Sequence, residues 1–305
     1  MTTKPLPARI WQVVKDLLIL TKYRITVVAL FTGYAAIVVQ GDHATDWAHV
    51  WPCLLALFAL GGCANTLNQL FELRKDAVMD RTKARRPLPA GRITPTQAAV
   101  FAAIQFVFAI TVFLGYYGSW LAAVLTAVTV LYYSWFYTLW LKPRHYLNIV
   151  IGGVPGAMGP LIAWAAMTGG IDLAPLAMFA VIFLWTPPHV WALAIKLKDD
   201  YARAGIPMLP VVKGVDETTR QIFIYTVVMV AGTLAVPVLV PAFEDSPVYT
   251  TLSLVLGAIF LVWTALLWRH RPVMPTMPLF RFSIVYIAAL FIGMVCDALR
   301  QGGHP

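Results

Sequence analysis

The sequence predicts an all-α, polytopic membrane protein of about nine transmembrane helices, on three observations. The first is composition. Of 305 residues, 60% are hydrophobic and 12% charged, with a mean hydropathy of +0.74. Soluble domains average about 45–50% apolar and about 25% charged. The second is a series of apolar runs, each near the roughly 20 residues a helix needs to cross a hydrocarbon core about 30 Å thick. The third is the distribution of basic residues. With a cytoplasmic N-terminus, 22 of the 23 Lys and Arg fall on the cytoplasmic side, leaving Arg300 outside, as the positive-inside rule requires. That asymmetry accounts for the net charge of +9 with the lipid bilayer as partner and no nucleic acid.

The runs follow in order. Lys4, Arg9 and Lys15 precede the first, 20–40, with no small-residue cleavage site, so it reads as a retained span rather than a signal peptide. The second, 49–70, leads into a charged stretch over 71–95. The third and fourth, 96–116 and 119–141, end at the short basic loop of Lys142 and Arg144. The fifth, 148–168, is dense in Gly and Pro, with Gly152 and Gly156 at the spacing of close helix contacts. The sixth, 173–195, contains "WTPPHVWALA", where His189 follows two prolines. That histidine has three readings: a partner for a carbonyl freed by proline, an iron ligand, or a base. The last three runs are 221–242, 249–268 and 282–299. Connections are short, so residues 1–305 read as one integral-membrane domain. The loops opposite the basic face hold Asp42, Asp46, Asp172, Glu244 and Asp245. Cys53, Cys63 and Cys296 form no CxxC pair, which argues against disulfides or a cysteine zinc site and for small buried apolar residues.

Against this apolar background, "NQLFELRKDAVMDRTKARRPLP", residues 68–89, is dense in charge. Asn68, Glu72, Asp76 and Asp80 stand four apart, and the first three share one helical face. Carboxylates at a membrane boundary are costly and repel one another unless a cation lies between them. An amide oxygen and two carboxylates suit Mg²⁺, which shares its shell with water and substrate phosphates. Arg81, Lys83, Arg85, Arg86 and Arg92 follow, and guanidinium forks match phosphate oxygens. The combination fits a metal-bound diphosphate. A solvated loop obeying the positive-inside rule explains the bases, but not acids on one face.

A second loop, "KLKDDYARAGIPMLPVVKG", sets Asp199 and Asp200 among Lys196, Lys198 and Arg203. Neighbouring residues on a helix point about 100° apart. One aspartate is therefore free to bind metal while the other orients a base. The two charged loops follow the second and sixth spans, which hints at an internal duplication.

Four segments, "NQLFELRKDAVMDRTKARRPLPAGRI", "FYTLWLKPRHYLNIVIGGVPGA", "WTPPHVWALA" and "DDYARAGIPMLPVV", resemble the UbiA-type intramembrane prenyltransferases, and within that family its heme-prenylating branch. The first is similar to the family's NxxxDxxxD motif, with Glu72 in place of Asp. The last carries DD where quinone-making relatives have DxxxD. The resemblance implies transfer of a farnesyl group from farnesyl diphosphate to the 2-vinyl group of heme B, giving heme O for heme–copper oxidases. It implies Mg²⁺ on Asn68, Glu72, Asp76, Asp199 and Asp200, and diphosphate on Arg81, Arg85, Arg86, Lys142 and Lys196. Asp76, Lys196 and Asp200 become the expected catalytic residues, with His189 and Tyr201 as heme contacts. The expected setting is the bacterial inner membrane, with a heme-modifying partner enzyme. Two alternatives stay open: a quinone precursor or other aromatic acceptor, and a membrane transporter.

Overall fold

The computed structural model describes residues 6–270 and 274–302; the sequence charges Lys4 and Arg271 lie outside them. Among the described residues no strand occurs, and nine helices are long and apolar enough to cross a membrane. They are Tyr23–Gln40, Trp47–Phe71, Pro95–Tyr116, Trp120–Leu141, Asn148–Thr168, Leu173–Lys196, Gly214–Leu239, Pro247–Arg269 and Thr276–Arg300. The protein is a multi-pass integral membrane protein. Consecutive spans pack on one another, and the ninth closes the bundle against the first and the sixth.

Two helices extend beyond the runs expected from hydropathy. The seventh begins at Gly214 rather than 221, and the ninth at Thr276 rather than 282. In the seventh, Asp216 and Glu217 sit in the first turn, where carboxylates favour the positive end of the helix dipole. Hydropathy finds the part of a helix inside the bilayer and is blind to turns that leave it.

The first span starts at Tyr23 rather than 20, behind a separate helix. Helix Leu6–Leu20 is separate, and Lys22 adopts φ 47° and ψ 45° before the first span starts at Tyr23. Lys22 is the only non-glycine residue with positive φ among the described residues. Ile10, Trp11, Val14 and Leu18 of the first helix are exposed, whereas Asp16 is buried. Such a face suits a helix lying along the membrane surface. Asp16 accepts from Gln12 at 3.1 Å and from Arg92 at 2.9 Å. Arg92 also donates to the carbonyls of Ala84 and Arg85 at 3.2 and 3.0 Å, so one guanidinium ties this helix to the basic loop. Asp16→Asn is expected to destabilise the protein by about 1–2 kcal/mol, since Arg92 keeps partial access to water. A thermal melt in detergent checks this; an unchanged midpoint would show that the helix docks without the pair.

The second and sixth spans end alike. Glu72 (φ −92°, ψ 6°) separates Phe71 from the six-residue helix Leu73–Val78. Leu197 (φ −104°, ψ 17°) separates Lys196 from the six-residue helix Lys198–Arg203. The duplication suggested by loop order thus has a backbone counterpart: span, one-residue break, short acidic helix.

Two sequence expectations change. Gly152 and Gly156 do not act as a pair: a Cβ on Gly152 would lie 2.3 Å from the Tyr137 ring, while Gly156 has nothing within 4 Å. Gly152 therefore makes room for one tyrosine. Cys53 and Cys63 are buried, but Cys296 is exposed on the outer side of the ninth span. An apolar sequence around a cysteine does not reveal whether it faces lipid or protein. Beside it, Asp297 is buried in the same span and accepts from the backbone N–H of Val248 at 3.2 Å and Tyr249 at 2.8 Å. It caps the eighth helix from a neighbouring one.

Candidate active site

The acidic face survives the break in the second span. Glu72 N donates to Asn68 O at 3.0 Å and Asp76 N to Glu72 O at 2.8 Å, so the four-residue register runs through the hinge. Asn68, Glu72 and Asp76 are all buried, at 2%, 4% and 2% exposure. Each side chain meets its own base. Lys22 Nζ donates to Asn68 Oδ1 at 2.9 Å, Lys142 Nζ to Glu72 Oε1, and Arg86 to Asp76 Oδ2. Asn68 Nδ2 donates in turn to Thr138 Oγ1 at 3.1 Å. Thr138 lies on the π-helical end of the fourth span, with its hydroxyl on Tyr133 O at 2.7 Å. Such wide turns are frequent at functional sites.

Asp80 leaves the series. The short helix stops at Val78, Met79 is extended, and Thr82 Oγ1 donates to Asp76 O at 2.7 Å. The Asp80 side chain is 62% exposed and pairs with Lys83 at 2.6 Å and Arg203 at 2.8 Å. Its backbone N–H donates to Asp200 Oδ1 at 3.3 Å, and Arg203 also bonds Asp200. Asp80 therefore joins the two charged loops. Gly205, at φ +62°, makes the turn that returns Ile206 N to Tyr201 O at 2.9 Å. Tyr201 is buried, with the Arg81 guanidinium 5.7 Å from its ring centre, a cation–π distance.

The candidate residues thus sort into groups. Asn68, Glu72, Asp76, Arg86 and Lys142 form one buried cluster; Arg81, Asp200 and Tyr201 form a second beside it. Arg85, Lys196 and Asp199 are exposed and stand outside both. Arg85 bonds through its backbone, to Thr82 and Arg92, with its side chain exposed, so of the adjacent arginines Arg86 faces the acids. Leu197 ends the sixth helix after Lys196, and the following short helix turns Asp200 inward and Asp199 outward.

Lys22 is the residue that sequence reasoning missed. Its charge enters the sequence reading only through orientation, yet the left-handed turn at that position aims it at Asn68. Burial, with Arg86 next and Lys142 also nearby, draws its ammonium down from 10.5 to about 7, against the opposing pull of Glu72 and Asp76. Burial pushes the Asp76 carboxyl up, and the Arg86 guanidinium offsets only part of that. For Glu72 burial also acts upward, but Lys142, Lys22 and Arg86 outweigh it and hold the carboxyl below its usual range.

His189 packs between the sixth and ninth spans rather than serving a carbonyl freed by proline. Its ring stacks between Trp185 and Phe280, with centroids 4.1 and 4.5 Å away. Its Nδ1 lies 2.6 Å from Ser283 Oγ, and that hydroxyl donates to Phe280 O at 2.7 Å. Ser283 thus accepts from Nδ1–H. His189 ties the sixth span to the ninth through a side-chain hydroxyl, not through a carbonyl freed by Pro187 or Pro188.

The chain's known relatives agree with this architecture. The family model described as "UbiA prenyltransferase family" matches residues 29–291, which include both charged loops. A protoheme IX farnesyltransferase of Rhodopseudomonas palustris (strain BisB5) is 44% identical over 293 residues, covering 94% of this chain and 91% of the relative. Another protoheme IX farnesyltransferase, from Bradyrhizobium diazoefficiens, is 41% identical over 96% of this chain and 92% of its own length. Among solved structures, one of a digeranylgeranylglyceryl phosphate synthase superposes with a TM-score of 0.76 at 17% identity, over 94% of this chain and 99% of the other. A UbiA homolog from Archaeoglobus fulgidus bound to GPP and Mg²⁺ gives a TM-score of 0.60 at 15% identity, over 92% and 99%. The two structures share the fold. With nine spans, paired hinged loops and a family match across most of its length, this chain belongs to the UbiA prenyltransferase family.

Proposed function

We propose that this chain transfers the farnesyl group of farnesyl diphosphate to the 2-vinyl group of heme B, giving heme O and diphosphate. The observation that carries this reading is identity of 41–44% over at least 94% of the chain with relatives that bear that activity's name. The buried cluster supplies the chemistry. Its oxygen donors, Asn68, Glu72 and Asp76, with Asp200 from the second loop, are the hard ligands Mg²⁺ prefers. Each now leans on a base, so a metal–diphosphate pair fits by exchange of partners. Glu72 and Asp76 would hold the cation, leaving Lys22, Lys142 and Arg86 for the phosphate oxygens. Mg²⁺ when bound neutralises the diphosphate as a Lewis acid. Lys22, Lys142, Arg86 and Arg81 stabilise the negative charge that grows on diphosphate as the allylic C–O bond breaks. The farnesyl cation then forms a bond to the vinyl carbon. Water adds to the resulting cation and loses a proton, leaving the hydroxyethylfarnesyl substituent. Lys196 and Asp199 need no role in this arrangement. Tyr201, buried beside Arg81, and His189 are the proposed heme contacts.

The test is full-length protein in liposomes with farnesyl diphosphate, heme B and Mg²⁺, with products identified by mass. Farnesylated heme formed without a gradient is the expected result. Prenylation of a phenolic acceptor with heme B untouched would assign the enzyme to another branch. Solute flux without any prenylated product would make it a transporter.

The reading places residues 1–305 as one domain in the inner membrane with a cytoplasmic N-terminus. Heme O keeps its farnesyl tail in the bilayer, so the enzyme that consumes it belongs in the same membrane. For orientation, single cysteines at Asp80, Asp216 and Gly302 in a background lacking Cys53, Cys63 and Cys296 give the check. The first two should react only after permeation and the third without it. Labels at Asp80 and Asp216 on opposite faces would break the nine-span topology.

A further inference from the structure

The candidate active site lies where the first span begins, at Lys22, and where the second ends, at Asn68 to Asp76. One full span away, the connection between Gln40 and Trp47 carries a different set of ligands. His43, Asp46 and His49 each offer one ligand atom, and the three atoms lie within 4.8 Å of one another. Among the described residues this is the only such group of three His, Cys, Asp or Glu. We propose that His43, Asp46 and His49 bind a borderline divalent transition ion, Zn²⁺ in the first instance, at the end of the bundle opposite the candidate active site.

The protein holds two of the three ligands in place by itself. Asp46 caps the second span, accepting from Ala48 N at 3.1 Å, and its other oxygen lies 2.7 Å from His49 Nδ1. Tyr117 donates to His49 O, and Tyr116 to Ala48 O at 3.0 Å. The Tyr116 ring also meets the His49 ring edge-on, with centroids 5.8 Å apart. Two tyrosines from the end of the third span thus fix the turn on which His49 sits, as a preformed site requires.

Capping alone explains Asp46 and the bond from His49, but it gives no part to His43. The His43 ring stacks on His49 with centroids 4.6 Å apart and planes within 18°. Among the described residues, the His43 ring nitrogens and His49 Nε2 make no hydrogen bond, and they lie beside one carboxylate. Both rings must turn out of the stack, about χ1 and χ2, to bring these atoms to the roughly 2.0–2.2 Å of Zn–N and Zn–O bonds. The His43 backbone carbonyl accepts from Asp46 N at 3.1 Å, so ring and carboxylate belong to one turn.

The donor set also separates this site from the first. Two nitrogens and an oxygen suit Zn²⁺ or Cu²⁺, whereas the oxygen-only cluster at Asn68, Glu72 and Asp76 suits Mg²⁺. Three protein ligands leave a fourth position for water or an exogenous group. Trp47 and Trp51, exposed with rings 5.8 Å apart, flank the turn, as aromatic residues do at a membrane interface. An ion there would clamp the short connection between the first two spans to the top of the second.

The test uses metal-stripped, full-length protein in detergent and Zn²⁺ alone, with affinity read by chelator competition. Wild type should bind one Zn²⁺ at this site, and His43→Ala/His49→Ala should weaken binding by at least about 100-fold. Asp76→Asn should leave it intact. Co²⁺ should give the intense visible bands of a four-coordinate ion in wild type and lose them in the double variant. Should the double variant fold poorly, His43→Asn alone is decisive, because that side chain is tied only by stacking. Its metal-free melting temperature should match wild type, while the Zn²⁺-induced rise seen in wild type disappears. Equal Zn²⁺ affinity in wild type and both histidine variants, or binding lost only in Asp76→Asn, would overturn the proposal.

Discussion

Asp76→Asn is expected to lower farnesyl transfer by at least about 10³-fold while the protein folds and inserts normally. Removing one preorganised electrostatic partner of a transition state costs about 10²–10³ in rate, and Asp76 is proposed to act twice. It is a ligand for the metal, and it holds Arg86 until diphosphate arrives. The amide keeps the shape and one oxygen for Arg86 but loses the charge a cation needs. Folding should not suffer. Burial raises the Asp76 carboxyl above its ordinary value, so folding carries a penalty for its charged form. Neutral asparagine removes that penalty, so the melting temperature at pH 7 should equal or exceed that of wild type. Initial rates of farnesylated-heme formation at saturating Mg²⁺, beside a melt, give both numbers. A variant that turns over like wild type would remove Asp76 from the site; one that is inactive and also unfolded would make its role structural.

Much of this was readable from residues alone. Hydropathy located the spans because bilayer thickness fixes a helix length, and the Lys and Arg asymmetry gave the orientation expected of them. The acidic face at Asn68, Glu72 and Asp76 was visible as spacing. Spacing could not say where the helix ends, and so could not separate Asp76, which is inside, from Asp80, which is outside on the loop junction. The same limit hid the difference between Asp199 and Asp200, whose fates are set by the break at Leu197. Partners chosen across the bundle are less legible still. Asp297 caps a helix whose sequence begins about fifty residues earlier, and His189 meets Ser283 across 94 positions. Nothing local announces either pairing. The three-residue spacing of His43, Asp46 and His49 announces no metal by itself, and only the tyrosines of another span show that the turn is fixed.

Lys22→Met is expected to give a protein that is more stable yet poorly active, and the gap in stability should depend on pH. Lys22 reaches Asn68 Oδ1 at 2.9 Å from a left-handed backbone that lysine does not favour. Burial first, and Arg86 second, bring its ammonium from 10.5 to about 7. The unfolded chain keeps the proton up to the ordinary value, so between about 7 and 10.5 it binds more protons than the folded protein does. Stability of the wild type therefore rises with pH across that window, and below it the full penalty of a buried ammonium remains. Methionine fills similar space without a charge and has no such slope. In metal-free buffer, Lys22→Met should exceed wild type most below pH 7 and converge on it towards pH 10. Diphosphate reverses the preference, because two or more negative charges beside Lys22 favour the ammonium again. Without it, kcat/KM should fall by roughly 10–100-fold, as for loss of one charge-assisted hydrogen bond to a buried anion. Melts from pH 6 to 10 that run parallel in the two proteins would show that Lys22 does not titrate there. Wild-type kcat/KM in Lys22→Met would mean that the lysine faces Asn68 for structure alone.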